Sequence, residues 1–222
     1  MTENASVCSA WRLYLVLDRG ACGSRRVEEV ARAAVRGGVD AIQLRDKTAS
    51  ARELIDEAGR VLAVTRAADV PLLSNDRSDV ALAVGADGVH LGQDDLPVAE
   101  ARSLLGPHRI IGQSTHSLEQ ARAAEAAGVE YIGFGPIFPT PTKPDYRSIG
   151  VDAVGPVLAQ VRAPCVCIGG IDAGTLPQVL AAGARRIAVV RAICSVEDPE
   201  AAAQTLKRAL IQFDRADAAS AL

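Results

Sequence analysis

Eight short apolar runs punctuate the chain, each followed by a longer, mixed-polarity stretch. The runs lie at 13–18, 41–44, 71–74, 88–91, 110–114, 131–135, 165–168 and 186–190. They are near-continuously apolar, the pattern of parallel strands buried on both faces. Between them, segments rich in Ala, Arg, Glu and Leu, such as 27–36, 51–66, 118–127 and 175–182, carry the helical pattern. Four helix-to-strand junctions look alike: Gly37-Gly38-Val39-Asp40, Val84-Gly85-Ala86-Asp87, Ala127-Gly128-Val129-Glu130 and Ala182-Gly183-Ala184-Arg185. Glycine there supplies the left-handed residue that ends a helix before the chain turns into a strand. Eight such units in 222 residues predict an α/β fold, a parallel eight-stranded (β/α)8 TIM barrel, over an open doubly wound sheet. No linker or low-complexity block divides the chain, so 1–222 reads as one domain, with about 1–11 and 214–222 peripheral or frayed.

Composition narrows the function classes. Net charge is −3 and aromatics are 3% of the chain, so a basic stripe with stacking aromatics, the mark of nucleic-acid binding, is not expected. The early apolar run at 13–17 is far too short to span a membrane or serve as a signal core. Cys8, Cys22, Cys165, Cys167 and Cys194 fall at unrelated spacings with no His or Cys cluster nearby. They read as buried, reduced thiols of a cytoplasmic protein. Of 24 Lys plus Arg, only Lys47, Lys143 and Lys207 are lysine. A compact ammonium and a planar guanidinium are not interchangeable where a point charge meets a phosphate in a tight space. Lys207 reads as a solvated residue of the C-terminal helix; the other two fall among the strand ends.

Chemistry in such a barrel collects where strands end. Those ends carry Gln43-Leu44-Arg45-Asp46-Lys47, Asn75-Asp76-Arg77, His90-Leu91-Gly92-Gln93-Asp94-Asp95, Gly112-Gln113-Ser114-Thr115-His116, Gly135 to Lys143, Gly169-Gly170-Ile171 and Val190-Arg191-Ala192. Each has a plainer reading. Arg45 and Lys47 could be paired surface charges, and Asp76 a helix N-cap. Asp94 and Asp95 could cap the next helix, with Pro97 in its first turn. Thr140 to Lys143 could be an inert loop, and Gly169-Gly170 a turn. All the clusters share one predicted face, and together they suggest phosphate handling. Arg45, Lys47 and Lys143 are three cations from two loops, while Asp76 and Asp95 form a partial oxygen cage for Mg2+, which uses one or two carboxylates plus water and substrate phosphates. Gly169-Gly170 and Val190-Arg191 stand where barrels commonly bind a single phosphate through backbone N–H groups. One diphosphate site and one monophosphate site imply two substrates.

From Leu13 to about Pro199 the chain resembles the thiamine-phosphate synthase family. The specific part is Asn75 through Gln93-Asp94-Asp95, together with Gly135-Pro136-Ile137-Phe138-Pro139-Thr140-Pro141-Thr142-Lys143. The resemblance implies a Mg2+-assisted transferase joining a pyrimidine diphosphate to a thiazole phosphate. It implies that Gln43, Leu44, Arg45, Asp46, Lys47, Asn75, Ser114 and Lys143 hold the pyrimidine diphosphate, with Arg45, Lys47, Ser114 and Lys143 catalytic. Asp76 and Asp95 would bind the metal. Thr140, Pro141, Thr142, Gly170, Val190 and Arg191 would hold the thiazole phosphate. Arg191 departs from the family pattern, where serine is common; backbone donation survives that change and a hydroxyl contact does not. The alternatives are a thiazole tautomerase using His116 as its acid–base group, another phosphate-binding barrel isomerase, and a non-catalytic precursor-binding protein. The partners expected are small molecules, with neither nucleic acid nor membrane. The segment from Pro136 to Ser148 is a candidate closing loop.

Overall fold

A computed structural model describes residues 3–141 and 147–220, with side chains for 4–141 and 147–216. The strands are β1 Leu13–Asp18, β2 Ala41–Arg45, β3 Leu72–Asn75, β4 Gly88–Leu91, β5 Ile110–Thr115, β6 Tyr131–Phe134, β7 Cys165–Ile168 and β8 Ile187–Val189. Each pairs in parallel with the next, and β8 returns to β1 with Leu13 opposite Ile187, closing the expected barrel. Strand ends differ from expectation by a residue or so. β3 starts at Leu72 because Pro71, having no N–H, contributes only its carbonyl, to Ile42 N at 3.0 Å.

The helices are α1 Glu3–Ala10, α2 Val27–Arg36, α3 Ala51–Arg66, α4 Ser78–Val84, α5 Val98–Leu105, α6 Leu118–Ala126, α7 Val154–Leu158, α8 Leu176–Ala181, α9 Arg191–Cys194 and α10 Pro199–Ser220. Local chemistry starts and stops them. Ser50 accepts from Glu53 N and Glu53 reaches back to Ser50 N, a reciprocal cap for α3. Gly85, left-handed at φ 71, ends α4 before the turn into β4. α9 is a short extra helix after β8, in the position barrels often use for phosphate.

Two hydrophobic layers result from strand alternation. Outward residues such as Leu13, Leu15, Leu44, Val89 and Ile111 pack under the helices. Inward residues Tyr14, Val16, Ala41, Leu73, Ile110, Tyr131, Val166 and Ala188 fill the barrel, and Cys8 and Trp11 join them from below. The start of the chain is therefore more than peripheral. Trp11 is 3% exposed, and its ring lies 5.5 Å from Tyr14 and 5.2 Å from Tyr131, plugging the barrel's base. The far end is anchored too: α10 runs on to Ser220, and Asp214 pairs with Arg12 and Arg185. Lys207, expected to be solvated, forms an ion pair with Asp40, whose other carboxylate oxygen accepts from Arg12 N and Leu13 N at 2.8 Å each. It ties α10 to the turn before β2. All five cysteines are free and buried, as the spacing suggested.

Candidate active site

With its base plugged, the barrel opens at the C-terminal strand ends into a cavity of about 990 Å³. The strand residues lining it are the inward ones: Tyr14, Val16, Gln43, Arg45, Asn75, His90, Ser114, Tyr131, Gly133, Val166, Ile168, Ala188 and Val190, with Thr115 and Val189 beside them. Period-two alternation thus sorts the strand-two cluster. Gln43 and Arg45 face the cavity, whereas the Leu44 side chain between them is buried in the outer layer, which leaves its backbone to carry the expected contact.

The charged groups pair across neighbouring strand ends. Arg45 forms an ion pair with Asp18 at the end of β1, and Lys47 forms one with Asp76. Asp76 takes a left-handed conformation, φ 62, that aspartate adopts at a cost of order 1–3 kcal/mol, and its N–H donates to His90 O at 2.8 Å. It caps no helix, since α4 begins beyond Arg77, and neither do Asp94 and Asp95, since the N-cap of α5 is Pro97. Asp95 instead accepts from Gly92 N at 2.6 Å. The Asp76 and Asp95 carboxyls sit against each other. Burial pushes Asp76 up, but Asp95 and Lys47 outweigh it and hold Asp76 low; burial and Asp76 together push Asp95 up. The two carboxyls therefore titrate as one interacting pair, Asp76 the more acidic.

Asp46 serves the loop itself. Its Oδ1 accepts from Thr48 N and Thr48 Oγ1 at 2.8 Å and from Ala49 N at 3.0 Å. Burial pushes its carboxyl up, yet these donors prevail and hold it below the usual value. Asp46 sets the conformation that carries Lys47, and neither Asp46 nor Lys47 lines the cavity.

Across the cavity stand Thr140 and Pro141, Gly169-Gly170 and Val190-Arg191. Gly170 packs hard on the β6 loop: a Cβ there would meet Phe138 Cβ at 2.7 Å and Pro139 O at 2.8 Å. Thr142 and Lys143, expected at the two ligand sites, lie outside the described residues, as does the 142–146 part of the candidate closing loop. His116 lines the cavity with Nδ1 against Gly135 O. A carbonyl only accepts, so Nδ1 carries the proton.

The sequence assigns no site role to the lining residues Tyr14 and Tyr131, and it places His90 in the strand-four cluster without one. The tyrosines sit inside apolar runs and read there as core. The available signal was parity, for polar-tipped residues at inward positions 14, 43, 90, 114 and 131 all face the same space.

A family model described as thiamine monophosphate synthase matches residues 13–193. The thiamine-phosphate synthase of Chloroflexus aurantiacus is 48% identical over 202 residues, covering 90% of this chain and 93% of that one. That of a Roseiflexus species is 44% identical over 195 residues, 87% of this chain and 83% of the other. Among solved structures, thiamine phosphate pyrophosphorylase from Pyrococcus furiosus matches with a TM-score of 0.85 at 36% identity, over 93% of this chain and 98% of that one. An orotidine 5′-phosphate decarboxylase from Pyrococcus horikoshii, at 14% identity and a TM-score of 0.65, shares the fold alone.

Proposed function

The chain belongs to the thiamine monophosphate synthase family, transferases that form thiamine phosphate, and we propose that it joins 4-amino-2-methyl-5-(diphosphooxymethyl)pyrimidine to a thiazole phosphate. The observation that carries this reading is one cavity with two unlike polar walls. One wall offers Arg45, Asn75 and Ser114, with Lys47, Asp76 and Asp95 at adjacent strand ends; the other offers Gly170 and the start of α9. A diphosphate suits the first and a monophosphate the second.

Two hard carboxylates side by side at neighbouring strand ends fit a Mg2+ ion that would complete its shell with water and substrate phosphate. Asp76 and Asp95 would hold the ion, and it would supply positive charge to the departing diphosphate.

The protein's part is electrostatic and positional. Arg45 and Lys47, with Lys143 as the family resemblance implies, stabilise the charge that builds as the methylene C–O bond breaks and diphosphate leaves with the electron pair. Arg45 is itself oriented by Asp18. Gln43 holds the aminopyrimidine ring, whose amino group feeds electrons to the methylene carbon. The thiazole nitrogen then bonds to that carbon and becomes quaternary, so no protein nucleophile forms a bond and no proton need be removed. Thr140, Pro141, Thr142, Gly170 and the Val190-Arg191 backbone hold the thiazole phosphate in line. Among the described residues no helix is long and apolar enough to cross a membrane, and a cytoplasmic enzyme acting on small molecules fits this reading.

Incubating pure protein with both precursors and Mg2+ should release diphosphate and form thiamine phosphate in equal amounts. Isomerisation of the thiazole without diphosphate release, abolished by His116→Asn, would make the protein a tautomerase instead.

A further inference from the structure

A line of hydrogen bonds crosses the barrel between two groups assigned above to the same substrate. Gln43 Nε2 lies 2.8 Å from Tyr14 Oη, and Tyr14 Oη lies 2.9 Å from Tyr131 Oη. Tyr131 Oη is 2.7 Å from His90 Nδ1, and His90 Nε2 is 2.8 Å from Ser114 Oγ. Five strands, β2, β1, β6, β4 and β5 in that order, each contribute one member.

The members cannot be set independently. Each phenol has one proton and a neutral imidazole has one N–H, so a group that donates on one side must accept on the other. With every proton used, two settings exist. In the first, the Gln43 amide donates to Tyr14, Tyr14 to Tyr131, Tyr131 to Nδ1, and Nε2–H to Ser114. The Gln43 carbonyl then faces the cavity as an acceptor, and the Ser114 hydroxyl keeps its proton to donate to an anion. In the second, every bond reverses. Ser114 spends its proton on Nε2, and Gln43 must turn its carbonyl to Tyr14 and its amide donors to the cavity.

We propose that this relay ties the hydrogen-bonding polarity of Gln43 to that of Ser114, with Tyr14, Tyr131 and His90 as positioning residues. The amino group of the pyrimidine needs an acceptor and the diphosphate needs a donor, so the two ends of one substrate select the same setting together. The inference rests on the proposed function for which end of the relay meets which part of the substrate. Burial supports it: both phenols are pushed well above their ordinary range, so neither loses its proton. The space is also reserved for these rings. A Cβ at Gly112 would fall 2.1 Å from the Tyr131 ring, and one at Gly133 would fall 3.0 Å from His90 Cε1. Phenylalanines would fill the same volume, whereas buried hydroxyls cost free energy unless both their roles are satisfied.

The test is calorimetric, with thiazole phosphate withheld. Dissociation constants are measured for the aminopyrimidine diphosphate and for its counterpart bearing a 4-oxo group, which demands a donor from Gln43 and so the second setting. The intact enzyme should prefer the amino ring by roughly tenfold to a hundredfold, one reversed hydrogen bond at each end. Tyr131→Phe cuts the relay and lets Gln43 turn freely, so the preference should fall to about threefold or less, an estimate on the same scale. Tyr14→Phe cuts it elsewhere and should do the same. Ser114→Ala, which removes only the polarity at the far end and keeps the barrel's packing, should also lower the ratio. A purely structural role for the tyrosines would weaken both ligands alike and leave the ratio unchanged in all three variants; that result overturns the relay. Failure of the intact enzyme to bind either diphosphate would instead sink the proposed function beneath it.

Discussion

Gly170→Ala tests the division of the cavity into two anion sites. Gly170 sits at φ 63, where a side chain costs about 1–2 kcal/mol of backbone strain. Its new Cβ would meet Phe138 Cβ at 2.7 Å and Pro139 O at 2.8 Å, both well inside ordinary contact. Neither neighbour is a flexible side-chain tip, so the β7 loop itself must retreat, by somewhat more than about half an ångström to restore normal packing. That displacement is enough to spoil a backbone N–H bond to a phosphate oxygen, and a charge-assisted bond of this kind contributes about 1.5–3 kcal/mol. KM for the thiazole phosphate should therefore rise roughly 10- to 150-fold by that scale, with KM for the pyrimidine diphosphate changed less than about threefold. Steady-state kinetics with each substrate varied at saturating partner reads both numbers, and circular dichroism confirms that the fold survives. Equal rises in the two KM values would refute the assignment of Gly170 to one substrate alone.

Asp76→Asn and Asp95→Asn should each reduce coupling by about 10²-fold or more while thiazole phosphate still binds, as loss of a transition-state charge partner does; undiminished wild-type coupling in excess chelator would refute the metal role. Lys207→Met should cost about 1 kcal/mol in urea denaturation by leaving Asp40 short of its cation, with kcat unchanged; an unaltered midpoint would return Lys207 to the solvated surface. Asp46→Ala should raise KM for the pyrimidine diphosphate several-fold by releasing the loop that carries Lys47. Because its donors hold the Asp46 carboxyl below its ordinary 3.8, it stabilises the fold above that value and loses the contribution as pH falls through the depressed one. The stability difference between wild type and Asp46→Ala should accordingly shrink only in strong acid, and a difference that shrinks between pH 5 and 7 would contradict this sign.

What was legible in the sequence follows from how locally each feature is encoded. Strands and their order could be read because a buried parallel strand is a short apolar run, and an error of one residue at Pro71 or Arg45 leaves the run intact. The polar strand ends could be read because barrel chemistry is confined to one face. The pairing of those ends could not. That Lys47 meets Asp76 and Arg45 meets Asp18 depends on the barrel's register, with Asp18 opposite Arg45 across β1 and β2. Lys207 was misjudged for the same reason, since a residue 167 positions from Asp40 gives no local sign of its partner. The deepest omission was a matter of period. Tyr14 and Tyr131 look like core when each run is taken alone, and they are core by burial. Their hydroxyls acquire a role only when five strands close into one cylinder and place inward positions opposite each other. Barrel closure is what converts two buried phenols and a histidine into a connection between Gln43 and Ser114. The same closure requires glycine at 112, because the ring that completes the connection occupies the space a side chain would need.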